Sequence, residues 1–241
     1  MPRNFNRIWV FGDSYTSPNI CVDPCDSFWG LTGKFLRAKT ILNVSRPGNS
    51  LDSIEQLLIG LQTQFDWTSD LLLIGVPPLE RITVFDDHKN TPYTGMKIST
   101  DTWIDEKFDV SCHRGLISLQ NYGQDRQLIL HNDRGWLETH VLRKLWLLTV
   151  WLDSKQAKYI VINLSKDLDT NNRWGPSEYV LDQMLEHSNC ILFHNTYHGV
   201  NANINKPLDF DLYGWFGHHG SIGNRYFFDK SLKRKIEELF C

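Results

Sequence analysis

The sequence predicts an α/β fold in which helices cover a parallel sheet. Short apolar runs alternate along the chain with segments whose apolar residues have helical spacing. One run, Leu71–Val76, is apolar at every position, which is typical of a strand that is covered on both faces. Strands that alternate with helices require crossover connections, and these make the strands parallel. The carboxyl ends of the strands then meet at one edge of the sheet, where we expect the ligand to bind.

The first half of the chain predicts three strands and two helices. Gly12 ends the first strand, and the turn Pro47-Gly48-Asn49 follows the second strand. Ser50 is predicted to cap the second helix, because its hydroxyl can accept a hydrogen bond from the first turn. Pro77 ends the third strand, since a proline cannot continue a central ladder. In chain order, the predicted elements are strand Arg7–Phe11, helix Ser27–Arg37, strand Thr40–Val44, helix Ser50–Leu61 and strand Leu71–Val76.

Residues 79–135 interrupt this alternation. Their pattern is irregular and too short for a second core, so we interpret them as an insertion in a single domain that spans residues 1–241. A lid over the site is one role open to the insertion. After residue 135 the regular alternation resumes. It adds two predicted strands to the three of the first half, so the predicted sheet has five strands. The remaining elements are helix Trp136–Ala157, strand Lys158–Leu164, helix Pro176–His187, strand Cys190–Phe193 and helix Ser221–Phe240.

Composition and charge argue against several classes of protein. The net charge is −3 and the basic residues are dispersed, whereas nucleic-acid binding needs a clustered cationic surface. The amino terminus lacks the apolar segment of a signal peptide, and no stretch of about 18 apolar residues occurs. We therefore expect a soluble, cytoplasmic protein with neither nucleic acid nor membrane as a partner. The scattered cysteines, interpreted as reduced thiols, are Cys21, Cys25, Cys112, Cys190 and Cys241.

Ser14 is the first candidate for chemistry. It ends the segment Phe11-Gly12-Asp13-Ser14 after the first predicted strand, where Gly12 permits a sharp turn and close approach of a substrate. A serine hydroxyl becomes a good nucleophile when an imidazole accepts its proton, and the oxyanion that forms needs preorganised donors. His218 and His219, before the last predicted helix, are the candidate bases. Taken alone, Asp13-Ser14 is better explained as an ordinary turn.

Three blocks in a fixed order resemble the SGNH (GDSL) hydrolase family. They are Phe11–Ser14 after the first strand, Gly48-Asn49 after the second strand, and His218–Asn224 before the last helix. The resemblance covers most of the chain from Ile8 to Phe240, apart from the insertion. It implies a three-layer α/β/α sandwich with a parallel, flavodoxin-like sheet of five strands. It also implies an esterase that uses no cofactor and no metal.

The resemblance implies a role for each matching residue. Ser14 is the nucleophile and, through its N–H, the first oxyanion donor, while Gly48 is the second donor. His218 is preferred as the base, because Gly223 follows it at the spacing of the family's last block. The family also suggests that the substrate carries a small acyl group on a sugar or glycan.

Two positions depart from the family pattern. Pro77 stands where the third block usually has an asparagine, so one donor is missing, and Asn49 and Arg81 are the candidates to replace it. Trp215 stands where an aspartate usually precedes the histidine. In these departures the chain resembles divergent family members encoded by phages. If it is itself encoded by a phage, this resemblance implies an association with the virion. The candidates for orienting the imidazole are Asp211, Asp209 and a main-chain carbonyl.

The two departures leave other functions open. The main alternative is a non-catalytic module of the same fold that binds a glycan or a partner protein. A metal-assisted phosphoesterase that uses Asp13, His194 and His198 is weaker, because paired acidic ligands are lacking. A nucleotide-binding protein of the flavodoxin type is weaker still, because no glycine-rich phosphate loop follows any strand.

Aromatic residues near the predicted edge suggest a carbohydrate partner. Trp174 and Trp215 flank this edge, and an aromatic face can stack on a sugar ring. A small-molecule or glycan ester is therefore the expected partner, and the oligomeric state is left open.

Overall fold

The main sheet has seven strands in the part of the chain that the structure describes. The structure is a computed structural model that describes residues 4–18, 23–78, 83–85, 94–110, 116–118, 134–164, 189–191 and 220–241. The strands are β1 (Arg7–Phe11), β2 (Thr40–Asn43), β3 (Asp70–Val76), β4 (Thr83–Phe85), β5 (Thr94–Ser99), β6 (Asp105–Asp109), β7 (Leu116–Ser118), β8 (Lys158–Asn163) and β9 (Cys190–Ile191). The helices are α1 (Phe28–Leu36), α2 (Leu51–Leu61), α3 (Arg134–Ser154), α4 (Ser221–Phe227) and α5 (Lys233–Phe240).

Five neighbouring strands of the sheet are parallel. The full strand order is β6-β5-β2-β1-β3-β8-β9, and β2, β1, β3, β8 and β9 all run in the same direction. Ile8 of β1 lies between Ile41 of β2 and Leu71 of β3, and all three side chains are fully buried. The predicted five-stranded, flavodoxin-like sheet is confirmed. Its carboxyl edge carries the loops that follow Phe11, Asn43 and Val76.

The insertion adds two further strands to the same sheet. β5 pairs antiparallel with β2, and β6 pairs antiparallel with β5. Met96 and Ile98 on β5 are buried in the core, whereas Lys97 between them is exposed. Because side chains alternate between the faces of a strand, Met96 and Ile98 join the core while Lys97 on the opposite face meets solvent. Part of the irregular segment is therefore an edge of the sheet. A separate pair is formed by β4 and β7.

Helices cover both faces of the sheet. α2 and α3 pack on one face, and α1, α4 and α5 pack on the other. The buried side chains that make these contacts include Leu57 and Leu145 on the first face and Leu36, Phe227 and Ile236 on the second. The predicted three-layer α/β/α sandwich is confirmed.

The predicted helix starts agree with the structure. Ser27 Oγ accepts a hydrogen bond of 3.0 Å from Gly30 N at the start of α1. Ser50 caps α2 as predicted and accepts from Ser53 N at 3.4 Å. The predicted last helix is α4 and α5 joined by one π-helical turn, Phe228–Leu232. The predicted helix at 176–187 lies outside the described residues.

Candidate active site

Ser14 lies in a tight turn directly after β1. The turn is closed by Thr16, whose N–H and hydroxyl both donate to the carbonyl oxygen of Asp13, at 3.2 Å and 3.0 Å. The buried Asp13 carboxylate accepts a hydrogen bond of 2.9 Å from Tyr15 N. Ser14, between these contacts, exposes 8% of its surface. The backbone around the predicted nucleophile is therefore fixed on both sides.

Gly12 is required at the start of this turn. A Cβ atom at residue 12 would lie 2.3 Å from Thr16 Oγ1, well inside contact distance. The Thr16 hydroxyl cannot swing away without losing its bond to Asp13 O. Glycine therefore allows the chain to fold back closely enough to place Ser14 at the carboxyl edge.

Gly48 and Asn49 lie in the neighbouring loop, after β2. Gly48 has a φ of 82°, a left-handed conformation that favours glycine. The Asn49 N–H closes the turn on Arg46 O at 3.1 Å. Asn49 Nδ2 donates to Gly12 O at 2.9 Å, and Arg46 N donates to the same oxygen at 3.3 Å. One carbonyl of the Ser14 turn therefore holds the Gly48 loop beside it.

Asn43, which the sequence reasoning missed, connects the same two loops. It lies at the carboxyl end of β2 and is 1% exposed. Its Nδ2 donates to Thr16 O at 2.8 Å, and its Oδ1 accepts from Ser45 N at 2.9 Å. A buried amide needs partners for both of its ends, so an asparagine inside an otherwise apolar strand was the available signal.

The end of β3 packs against the Ser14 turn. A Cβ atom at Gly75 would lie 3.1 Å from Thr16 Cγ2 and 2.5 Å from Leu164 Cδ1. Two residues later, Pro77 is buried. The SGNH (GDSL) family, which the sequence resembles, usually has an asparagine at this position. Because proline has no N–H, residue 77 offers no backbone donor in its place. The proposed substitute Arg81 lies outside the described residues.

The last helical segment begins near the start of α1. Asn224 Oδ1 accepts from Phe28 N at 3.1 Å, and Asn224 Nδ2 donates to Gly220 O at 3.0 Å. Because α1 connects two parallel strands, its first residue, Phe28, lies on the side of the carboxyl edge. Gly220, at the start of α4, is therefore held on that side as well. It follows His218 by two residues in the sequence.

Several predicted site residues lie outside the described residues, and their roles stay predictions. These residues are His218, His219, Asp209, Asp211, Arg81, Trp174, Trp215, His194 and His198.

Among the residues that the structure does describe, no group of three or more His, Cys, Asp or Glu side chains could hold a metal ion. None of the described helices is long and apolar enough to cross a membrane.

The fold and the loop arrangement define a class of protein, the α/β/α sandwich with a serine turn after its first strand. A solved structure, from a member of the lipolytic protein G-D-S-L family of Veillonella parvula DSM 2008, is similar to the chain with a TM-score of 0.50. The two share 13% sequence identity over 94% of this chain and 96% of that one. At this identity the likeness shows a GDSL-like hydrolase fold. No family model and no curated protein matches the sequence.

Proposed function

We propose that the protein is a serine esterase that hydrolyses a carboxylic ester through an acyl-enzyme. The observation that carries this proposal is the coupling of two loops through Gly12 O, which accepts from Asn49 Nδ2 at 2.9 Å and from Arg46 N at 3.3 Å. These loops hold Ser14 and Gly48, the residues proposed as nucleophile and oxyanion donor. An oxyanion hole works only if its donors are fixed before the reaction, and hydrogen bonds between the loops supply that rigidity.

In the proposed reaction, His218 accepts the proton of Ser14 Oγ as this oxygen attacks the ester carbonyl carbon. The negative charge on the former carbonyl oxygen is stabilised by the N–H groups of Ser14 and Gly48. The imidazolium then protonates the departing alcohol, which leaves an acyl-serine. Water, deprotonated by the same imidazole, attacks this ester and releases the acid. Asp211 is proposed to orient His218, and Asn49 to serve as a further oxyanion donor.

The position of α4 supports His218 as the base. Gly220 is buried and bonded to Asn224, which is bonded in turn to Phe28 at the start of α1. This chain of contacts holds the residue two positions after His218 on the side of the sheet where Ser14 lies. We further propose that residues 1–241 form a single domain and that the chain is similar to phage-encoded members of the family. The proposed substrate carries an O-acyl group on a carbohydrate.

A second function is favoured by one observation, the buried Pro77 at the end of β3. Loss of an oxyanion donor typically costs about 10²-fold or more in rate. A chain that has lost this donor could have kept the fold as a non-catalytic module that binds a glycan or a partner protein.

Ester hydrolysis with matched variants separates the two functions. We expect the protein to hydrolyse p-nitrophenyl acetate and to be labelled by a fluorophosphonate at Ser14. Ser14→Ala and His218→Ala should each lower kcat by at least about 10³-fold, because the nucleophile and its base act as a unit. Ser154→Ala, which changes an exposed serine at the end of α3, serves as the control and should keep full activity. Equal activity in Ser14→Ala and the parent would rule out the proposed nucleophile.

A further inference from the structure

A cavity of about 250 Å³ opens at the carboxyl edge of the sheet, next to the loops of the proposed active site. Ser17, three residues after Ser14, lines one side. Arg46 and Pro47, directly before Gly48, line another side. The first residues of β5, which the insertion supplies, line the third. The cavity is thus bounded by both loops of the proposed active site and by the insertion.

The strand register explains how the insertion reaches this cavity. Asn43 of β2 pairs with Met96 of β5, and Met96 pairs with Lys107 of β6. Directly paired residues of antiparallel strands point to the same face of a sheet. Lys107 therefore lies on the face that carries Asn43, the residue bonded to the Ser14 turn at Thr16 O. Because β5 is antiparallel to β2, its first residues lie beside the carboxyl end of β2.

The lining of the cavity is cationic and polar. Arg46 and Lys107 supply two positive charges, and no acidic side chain is among its described lining residues. Ser45 and Thr94 add hydroxyl groups, and Asn43 adds an amide. Guanidinium and ammonium groups bind carboxylate and phosphate through charge-assisted hydrogen bonds. Hydroxyl and amide groups suit the hydroxyls of a sugar.

We propose that this cavity is a specificity subsite that binds an anionic group, a carboxylate or a phosphate, on a carbohydrate substrate. Arg46 and Lys107 hold the anion, while the ester of the same substrate lies at Ser14. The inference rests on the proposed function for the identity of the reacting ester, but the binding of the anion does not depend on catalysis. The insertion then has a stated role, since β6 supplies one of the two cations.

Binding to a variant that cannot turn over tests the subsite directly. The probes are a trigalacturonate, a neutral trigalactoside of the same length and galactose 6-phosphate, each titrated by calorimetry into the Ser14→Ala protein. We expect the trigalacturonate or the sugar phosphate to bind at least about tenfold more tightly than the neutral sugar, and the tighter of the two identifies the anion. Lys107→Gln and Arg46→Gln should each weaken that binding by about tenfold, and the affinity should fall as salt rises.

Lys97 provides the matched control on the same hairpin. It is paired with Glu106 across β5 and β6, on the face opposite Lys107, in an exposed ion pair of 3.5 Å. Lys97→Gln removes the same charge from the protein and should leave the affinity for the anion unchanged. Equal weakening by Lys97→Gln and Lys107→Gln would show a general charge effect and overturn the subsite. Equal affinities for the neutral and the anionic probes would overturn it as well.

The two proposals fail in different measurements. If p-nitrophenyl acetate shows no Ser14-dependent turnover while Lys107-dependent anion binding is present, the esterase fails and the subsite stands. If the ester is hydrolysed but neither anionic probe is preferred, the subsite fails and the esterase stands. In an active enzyme, the kcat/KM ratio for acetylated galacturonate over acetylated galactoside should fall about tenfold in Lys107→Gln.

Discussion

The turn after β1 has no room for a side chain at residue 12. The Cβ position of Gly12 lies 2.3 Å from Thr16 Oγ1 and 3.1 Å from Thr16 Cγ2. Thr16 in turn packs against Gly75 of β3 and is bonded through its carbonyl to Asn43 of β2. A shift of Thr16 would therefore disturb contacts with two strands as well as the backbone of Ser14.

We expect Gly12→Ala to lower both stability and activity. Overpacking at a fixed site costs about 1–3 kcal/mol, and displacement of Ser14 should lower kcat for ester hydrolysis by about tenfold or more. Urea unfolding and steady-state kinetics measure the two effects. Adding Thr16→Ala removes the two atoms that lie nearest the new Cβ and should recover part of the lost stability. Strict additivity of the two substitutions would contradict this account.

Asp66, in the turn before β3, makes the stability of the fold depend on pH in the acid range. Its carboxylate accepts from Ser69 Oγ at 2.6 Å and from Thr68 Oγ1 at 2.7 Å. These bonds lower the pKa of Asp66 from 3.8 to about 2, and the bond from Ser69 has the largest effect. Because the pKa of Asp66 is lower in the folded state than in the unfolded state, the ionised carboxylate stabilises the fold. This stabilisation is complete above the unfolded pKa near 4 and is lost as the pH falls through about 2.

We therefore expect Asp66→Asn to flatten the acid limb of the stability curve. The free energy of unfolding should fall less steeply between about pH 4 and pH 2 in the variant than in the parent. Ser69→Ala, which removes the hydroxyl with the largest effect on this pKa, should act in the same direction. Urea unfolding at a series of pH values measures the slopes. Identical slopes in the three proteins would show that these bonds do not perturb the titration of Asp66.

β5 lies inside the sheet, between β2 and β6, although it belongs to a segment with an irregular sequence pattern. Ile98 is fully buried and packs in the core layer that α1, α4 and α5 cover. The strand also places its first residues at the cavity beside the proposed active site. Loss of β5 would therefore affect both the core and the site.

A pair of isoleucine substitutions tests this integration. Ile98→Ala should lower the free energy of unfolding by about 2–5 kcal/mol, because it leaves a cavity in a packed core. Ile104→Ala changes an isoleucine that is 64% exposed in the turn between β5 and β6, and should cost less than about 0.5 kcal/mol. Chemical denaturation of both variants measures the difference. Equal, small effects would mean that the insertion is peripheral to the core.

Much of the fold could be predicted because buried parallel strands impose a simple pattern. β1, β3 and β8 must be apolar on both faces, so each shows as a short apolar run, and Ser50 and Gly12 mark the ends of elements by their backbone chemistry. The pairing of β5 with β2 could not be predicted in this way. Its alternation of buried and exposed residues also fits an isolated hairpin, and nothing local shows which strand it joins.

The candidate site was predictable only where local chemistry fixes a residue. Ser14 and Gly48 follow strands that end at the same edge, so their loops could be expected to meet. The roles of Asn43 and Asn224 depend on partners that are distant in the sequence. Asn43 bonds Thr16, which lies 27 positions away, and Asn224 bonds Phe28 across 196 positions. Spacing along the chain carries no information about contacts of that range.

Asn224 connects the start of α1 with the start of α4, on the side of the carboxyl edge of the sheet. It is 3% exposed, and its amide bonds the backbone of Phe28 and of Gly220. If this contact positions the segment that carries His218, Asn224→Ala should lower kcat by about tenfold with little change in KM. The loss of two buried hydrogen bonds should also cost about 1–3 kcal/mol of stability.

The conservative variant distinguishes positioning from a purely structural role. Asn224→Asp keeps an acceptor for Phe28 N but sets a buried carboxylate oxygen against Gly220 O in place of the amide donor. It therefore retains the contact with α1 and breaks the contact at the start of α4. If the link to α1 places the base, this variant should recover most of the kcat lost in Asn224→Ala. An unchanged kcat in Asn224→Ala, measured below its unfolding temperature, would restrict Asn224 to stability. The proposed base would then take its position from contacts other than those of Asn224.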